Sequence, residues 1–526
     1  MPMSCVPMID GEMQAFSLTL DKFLEHAAKW RSDREVTTAR GDGRIDRISY
    51  AALMNRARRV SAVLAGLGVR TGDRVATLAW NSQDHVEVWY AIMGMGAVCH
   101  TLNPRLTAEQ LADMILQSEA RILIASADLA PLAAEVQAFA PHVARLLIID
   151  GEAAEGEALA PLVDDADAVG VVWGDFDETA PCGLCFTSGT TGAPKGVTYT
   201  HRSSYLHALR VLQVDSLAIS GADAVLAVVP MFHANAWGLP FAATAVGAKL
   251  VLPGRHMDGA SLARLIAEEE VTVAVGVPTV WLGLVEHLEA TGGELPSLKR
   301  IVVGGAPTAP ALMERIERRL GVTVQTTWGM TELSPVGTVA PLSAPREAAI
   351  SGRPAVGVDF LLTDADGVAL AEQRDVEGHL RVKGAAVIER YFGCDTPATD
   401  AGGWFATGDL ARIDREGNLM ITGRAKDLIK SGGEWINPAE IEAVVGALPE
   451  VSLAAVIGRA HDRWGERPIL LVEVQAEVSD ETLLACLKGR VASWWIPDAV
   501  VRLTRMPLAA TGKIDKIRLR SEYGGN

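Results

Sequence analysis

Between residues 224 and 328 the chain alternates short β-branched runs with amphipathic stretches of about ten residues, and this alternation restricts the fold more than any other feature. AVLAVVP (224–230), AKLVLPG (248–254), VTVAVGVP (271–278), RIVVGGAP (300–307) and VTVQTTW (322–328) read as strands, most of them closed by Pro or Gly. SLARLIAEEE (261–270), TVWLGLVEHLEA (279–290) and PALMERIERRLG (310–321) carry apolar residues at helical spacing. Strands separated by such helices pair in parallel, with crossover connections. Parallel sheets hold ligands in the loops beyond the carboxyl ends of their strands. The segments VVGGAP and TTWGMTE are therefore expected at neighbouring strand ends, facing one site.

The pattern changes near 361–425, where LLTDADGVAL, GHLRVKG and GNLMITGR are short strands joined by Asp/Gly turns, as in a small antiparallel sheet or barrel. Beyond Arg424 a second unit begins. Asn437 as N-cap, Pro438 at the first helical position and Glu440 start a helix whose apolar face is Ile441, Val444, Val445 and Leu448. The strands VSLAAVIG and PILLVEVQAE, a helix near 480–492 and a strand near 499–504 complete an α+β unit. The joint falls at GRAKDL (423–428), where a glycine can absorb dihedral change and Lys426 and Asp427 argue for exposure.

At 526 residues the chain is long enough for three or four units of domain size. Its net charge of −17 and its 5% aromatic content argue against a nucleic-acid or anionic-membrane binder. Residues 501–526 are the exception, with six basic and two acidic side chains. The longest uncharged apolar stretch, residues 271–285, is broken by Pro278 and is shorter than the roughly 18–20 residues of a membrane span. The first twenty residues lack the order of a secretory signal, and the six cysteines are too scattered for a disulfide framework. A soluble cytoplasmic protein is expected.

The densest chemical signal is TSGTTGAPKG, Thr187–Gly196. Its glycines let backbone N–H groups turn towards a phosphate, its hydroxyls add donors, and Lys195 adds charge. The P-loop pattern is not met, because Gly196 and not Ser or Thr follows the lysine. In TWGMTE (327–332), Trp328 can stack on a purine, Thr331 can reach a phosphate and Glu332 can hold Mg²⁺ together with phosphate oxygens. Asp409 of GWFATGDL can accept from ribose hydroxyls. GRAKDLIKSGGEWINP supplies Arg424, Lys426 and Lys430 beside a glycine pair, and PLAATGKIDK places Lys513 in the basic tail.

These six segments, in this order over about 330 residues, make the chain resemble the adenylate-forming superfamily of acyl-CoA synthetases, adenylation domains and firefly luciferase. The resemblance implies a large N-terminal domain (1–425) of stacked α/β sheets with a small antiparallel barrel, and a small mobile α+β C-terminal domain (426–526) hinged at Lys426. It also implies two steps. A carboxylate attacks the α-phosphorus of ATP·Mg²⁺, releasing pyrophosphate; the small domain then turns, and the thiol of coenzyme A displaces AMP.

Carried over residue by residue, Thr187, Ser188, Gly189, Thr190, Thr191, Gly192 and Lys195 hold the pyrophosphate. Gly305, Ala306, Pro307 and Trp328, with Gly329 and Met330, enclose adenine. Thr331 touches the α-phosphate, Glu332 binds Mg²⁺, and Asp409 and Arg424 bind ribose. Lys513 bridges carboxylate and α-phosphate, while Lys430, Gly432, Gly433 and Glu434 line the path of the thiol. PMFHANAW (230–237) matches the segment near the acyl carboxylate, with His233 between acid and thiol, and with Trp237, Gly304 and Trp328 forming the pocket.

His233 stands where amino-acid-selecting relatives carry Asp, and the pocket is apolar, so the expected acyl tail is uncharged. The closest subgroups are short- to medium-chain fatty-acyl-CoA ligases and methylmercaptopropionate-CoA ligases. Small molecules are the expected partners, with a homodimer left open. An acyl-AMP ligase loading a carrier protein, or a catalytically silent nucleotide-binding homologue, are the alternatives. Cys182 and Cys185 are read as packed strand cysteines, TDADG (363–367) as a hairpin turn, Trp494–Trp495 as packing residues, and Glu268–Glu270 as a solvated helix end.

Overall fold

The structure, a computed structural model, describes residues 11–187, 194–343, 347–509 and 513–525. Its largest sheet has nine strands. At its centre Thr323–Gly329, Arg300–Val303, Val273–Gly276, Ala224–Ala227, Lys249–Leu252 and Glu35–Ala39 run in parallel, in that spatial order. These strands are buried nearly throughout, as expected where helices cover both faces of a parallel sheet. A second sheet of seven strands runs from Glu157–Ala158 to the antiparallel pair Pro181–Phe186 and Gly196–Thr200. One hydrophobic cluster joins the facing sides of the two sheets, from Val75 and Ile124 in one to Val225, Leu250 and Val302 in the other, with Trp89, Tyr90 and Phe241 between them. Separate clusters cover the outer faces.

Each helix of the alternating region has an identifiable start and stop. Asp258 caps Gly259–Glu268 by accepting from Ser261 N at 3.0 Å, and Pro310–Leu320 ends on Gly321 in the left-handed conformation. The adjacency expected of VVGGAP and TTWGMTE is present: Arg300–Val303 and Thr323–Gly329 are parallel neighbours.

The segment after 357 forms a four-stranded antiparallel sheet, ordered Val358–Thr363, Glu377–Gly384, Phe405–Ile413 and Leu419–Arg424. Of the sheet-or-barrel alternatives, the hydrogen-bonded ladder is a sheet. A 3-10 turn, Ala425–Asp427, follows, and then a five-stranded C-terminal sheet with its own core around Ile441, Val456 and Leu470. Asn437 caps Pro438–Val445, its side chain accepting from Ala439 N at 3.2 Å.

Two expectations need correction. The helix expected near 480–492 covers only Asp480–Ala485; Cys486 is its C-cap and Gly489, at φ +75°, is not helical, although Leu487 and Val491 still pack on the C-terminal core. The acidic run Glu268–Glu270 is not wholly solvated. Glu268 and Glu270 are exposed, but Glu269 is buried, with Arg47 on one carboxylate oxygen and the Lys249 ammonium 2.7 Å from the other. It ties a helix end to two strands of the large sheet.

The cysteine and turn readings stand. Cys182 and Cys185 are buried in their strand, and the Asp364 carboxylate organises the TDADG turn by accepting from Asp366 N and Val368 N. Of the tryptophan pair only Trp495 packs on the C-terminal core, whereas Trp494 is exposed. No helix among the described residues is long and apolar enough to cross a membrane.

Candidate active site

The carboxyl end of Thr323–Gly329, beside that of Arg300–Val303, meets the four-stranded sheet through Trp328, and the ligand crevice is expected at this junction. Asp409 is the link. It is 1% exposed; its Oδ2 accepts from the Trp328 indole at 2.9 Å and its Oδ1 lies 2.6 Å from Arg424 Nε. Asp409 and Arg424 are register partners on adjacent antiparallel strands, so the sheet itself brings the two motifs together. Burial raises the Asp409 pKa, against the lowering effect of Arg424 and the indole. Trp328 is itself only 8% exposed, and its ring packs edge-on to Phe360 at 5.9 Å.

Thr331 and Glu332 occupy a 3-10 turn directly after that strand, and both are buried. The Thr331 carbonyl accepts from the Tyr199 hydroxyl at 2.9 Å, and Glu332 Oε1 accepts from the Tyr391 hydroxyl at 2.9 Å. The Lys195 ammonium lies 4.8 Å from the centre of the Tyr391 ring. A chain of Lys195, Tyr391 and Glu332 thus joins the base of the Gly-rich loop to the carboxylate.

The loop springs from a hairpin. Thr187 N donates to Lys195 O at 2.9 Å, and Lys195 N donates to Thr187 Oγ1 at 3.2 Å, closing its mouth. Ser188, Gly189, Thr190, Thr191 and Gly192 lie outside the described residues.

Tyr199 and Tyr391 were not picked out from the sequence. Tyr199 carries a signal: strand alternation puts it on the same buried face as Val197, where a phenol needs an acceptor. Tyr391 carries none.

On the other side of the crevice, residues Ala234 to Gly238 form a turn with five successive positive φ values, between 46° and 75°. Four of the five are not glycine, and each costs roughly 1–2 kcal/mol in this conformation. Distant residues hold the turn's first N–H and the segment that leads into it. Asn81, buried, accepts from Met231 N at 2.7 Å and donates to the carbonyls of Ala227 and Val229, while Cys185 Sγ accepts from Ala234 N at 3.4 Å. The outcome is placement of two side chains. Trp237 lies against the glycine pair, such that a β-carbon built on Gly304 would fall 2.9 Å from its Cη2 and one on Gly305 3.6 Å from its Cζ2. His233, at the entry to the turn, is held at a pKa of about 4 by burial, with Lys513 and Arg105 adding repulsion. Its imidazole is neutral at physiological pH.

Lys513 reaches this crevice from the C-terminal domain. Its Cε would be 4.0 Å from a β-carbon on Gly305. Burial, and next Arg424, push its ammonium down to about 8, against the attraction of Asp409 and Glu332. By contrast Lys430, Gly432, Gly433 and Glu434 form an exposed hairpin turn on the C-terminal sheet. Among the described residues no hydrogen bond or ion pair joins them to His233, Glu332 or Lys513. Trp464 covers this turn at Gly432, and the Lys430 ammonium lies 5.5 Å from the Trp435 ring. Lys426 sits in the 3-10 turn between the sheets.

A carboxylate held by arginine and indole, a second carboxylate accepting from a tyrosine, and an excess of lysine and arginine suit a nucleoside triphosphate. The model of the AMP-binding enzyme family matches residues 23–392, and that of its C-terminal domain residues 440–513. The chain belongs to this adenylate-forming family. It is 40% identical over 532 residues to a medium-chain-fatty-acid–CoA ligase of Ectopseudomonas oleovorans, covering 98% of this chain and 97% of the relative. It is also 40% identical over 532 residues to a 3-methylmercaptopropionyl-CoA ligase of Ruegeria pomeroyi, covering 98% of each. Among solved structures, the O-succinylbenzoate coenzyme A synthetase of Bacillus subtilis, in complex with ATP and magnesium ion, superposes with a TM-score of 0.80 at 27% identity, over 95% of this chain and 99% of that one. The chain is an ATP-dependent acid–CoA ligase acting through an acyl-adenylate.

Proposed function

We propose that the acid is a short- to medium-chain apolar carboxylic acid and that the residues gathered in the crevice divide the two half-reactions between them. The observation that carries this reading is the position of Lys513, a cation from the far end of the chain lying beside Gly305 and within electrostatic reach of Asp409 and Glu332. A carboxylate and a triphosphate repel one another, so the first step needs positive charge fixed in advance where the five-coordinate phosphorus develops. Lys513 holds its ammonium there. Thr331 touches the α-phosphate, Asp409 and Arg424 hold the ribose, and Lys195 and the loop it closes hold the departing pyrophosphate.

Magnesium fits the donors present. Glu332 is a buried carboxylate with one oxygen taken by Tyr391, and among the described residues it belongs to no cluster of three or more acidic, His or Cys ligands. A single carboxylate sharing the ion with phosphate oxygens is how Mg²⁺ is commonly bound. When bound, the ion supplies neutralisation of phosphate charge.

Neutral His233 and the indole of Trp237 frame the acid without adding a charge to pair with its tail, which favours an apolar chain. The likeness to medium-chain and methylmercaptopropionyl ligases supports the same class. The thiol step has no need of Lys513 but does need a path. The C-terminal domain (426–526), turning about Lys426, withdraws Lys513 and brings the Gly432–Gly433 turn to the crevice, with Trp435 and Trp464 as apolar walls. Coenzyme A is the thiol, and the protein works in the cytoplasm.

Measuring AMP release for acids from acetate to palmitate, aromatic acids included, with and without coenzyme A, tests the substrate class. Release that depends on coenzyme A and peaks at chains of intermediate length is expected. A peak at aromatic acids or palmitate, or dependence on a carrier protein, would overturn it.

Two further results are expected. Lys513 acts in its charged form, so kcat/KM for adenylation should fall as pH rises through about 8, the free-enzyme value. Lys513→Arg keeps its charge and should lose that alkaline limb; the same fall in the variant would assign it elsewhere. Gly432→Val should slow thioester formation by about 10- to 100-fold, the effect of about 1–3 kcal/mol of overpacking, while pyrophosphate release survives. Gly432 has φ +61°, and a β-carbon there would lie 2.7 Å from Trp464 Cε3, so a thermal melt of the variant should accompany the assay. Loss of adenylation instead would place the turn in the first step.

A further inference from the structure

A single helix touches both halves of the site. His201–Val211 follows the strand Gly196–Thr200 without a gap, its start fixed by the reciprocal pair Thr200 and Ser203. His207 and Arg210, three residues apart and so on one face, are both buried. His207 Nε2 accepts the Val336 N–H at 3.1 Å, and Arg210 Nη2 donates to the Val336 carbonyl at 2.6 Å. Val336 is the stem of the turn that carries Thr331 and Glu332. It faces Gly329 across the strand pair, and Met330 N donates to Pro335 O at 3.0 Å beside it.

The other edge of the same imidazole rests on Gly238, the last residue of the left-handed turn. A β-carbon there would lie 2.7 Å from His207 Nδ1 and 2.8 Å from Cε1. Because Nε2 accepts, the ring proton sits on Nδ1. Burial, with the charge of Arg210, holds the ring well below the ordinary histidine range and so keeps this neutral form.

We propose that His207 is a positioning residue that registers the acyl-side turn Ala234–Gly238 against the Glu332 turn, so that the acid and the nucleotide phosphates meet at a fixed separation. The proposal rests on the roles given above to Glu332, His233 and Trp237. One ring touches both turns: its Nε2 side accepts from the Val336 stem, beside the Arg210 contact, and its Nδ1 edge lies against the end of the strained turn. Removing the ring loosens both at once. Displacements of about 1 Å between reacting groups cost about 10²-fold in rate.

The test uses the full chain with octanoate and MgATP in pyrophosphate exchange, and supplied octanoyl-AMP with coenzyme A for the second step. His207→Ala should raise the KM for octanoate and for MgATP together and lower exchange kcat/KM by about 10²-fold. Conversion of supplied octanoyl-AMP should suffer at least about tenfold less than exchange. His207→Gln returns an acceptor to Val336 N–H but no ring edge to Gly238. Its MgATP KM should therefore recover while its octanoate KM stays raised, a split that lost stability alone would not produce. Both KM values within about twofold of the parent in His207→Ala, whatever the melting temperature, overturn the proposal. So does a glutamine variant without the split, which decides the matter alone should the alanine variant fail to fold. Glu332→Gln, assayed in parallel, separates the layers. A raised Mg²⁺ requirement there with unchanged constants in His207→Ala defeats only the positioning role, whereas an unchanged Mg²⁺ requirement defeats the metal assignment beneath it.

Discussion

Lys513→Ala should lower adenylation by about 10²–10³-fold, or about 3–4 kcal/mol of transition-state stabilisation, while still converting supplied acyl-AMP to thioester at close to the parent rate. The asymmetry follows from where charge develops. In the first step two anions are brought together around phosphorus, and the Lys513 ammonium is placed beside Gly305 with Asp409 and Glu332 within its field. In the second step a thiol attacks an acyl carbon and AMP leaves, so a cation at the approach of the acid has no corresponding task. Pyrophosphate exchange measures the first step alone, and thioester formed from synthetic acyl-AMP measures the second. Equal loss in both would mean that Lys513 holds the two domains together instead of stabilising charge.

The second large effect is on stability. Replacing Arg47 and Lys249 together by Met should destabilise the folded chain by about 3–5 kcal/mol, because the Glu269 carboxylate is left buried with no cation. Glu269 lies at the end of Gly259–Glu268, and its two partners come from the strands Ile45–Ser49 and Lys249–Leu252. Adding Glu269→Met to the double variant should restore most of the loss, since a buried apolar side chain of similar volume has no desolvation cost. Denaturant unfolding of the three proteins checks this. A double variant as stable as the parent would show that Glu269 finds water or a proton instead.

The parallel architecture was legible because its signal is periodic: β-branched runs and amphipathic helices recur from Ala224 to Trp328, and that pattern alone put Gly304 and Trp328 on neighbouring strand ends. The motifs named Asp409 and Arg424 separately; their pairing as register partners on adjacent strands came only with the structure. The left-handed turn was not legible. Ala234, Ala236 and Trp237 have no local preference for positive φ; Cys185 holds the first N–H of the turn and Asn81 the segment before it, and they lie about 50 and 150 residues away in sequence from the groups they bond. Glu269 was misread for a related reason. Three consecutive acids on a helix end look alike in sequence, and only the third dimension puts two cations against the middle one. His207, Tyr199 and Tyr391 likewise act on backbone or carboxylate groups far along the chain, and no spacing in the sequence encodes those distances.

The helix Lys516–Tyr523, which begins three residues after Lys513, is fastened at two points. Arg520 Nη2 lies 2.8 Å from Asp427 in the turn between the sheets, and Lys516 Nζ lies 2.7 Å from Glu442 on the helix Pro438–Val445. Lys513 is thus not the tip of a loose tail but lies three residues from a helix tied at two points, to Asp427 and to Glu442. In the proposed turn of the small domain the ammonium travels with that helix, so the site gains or loses a positive charge according to where the domain stands.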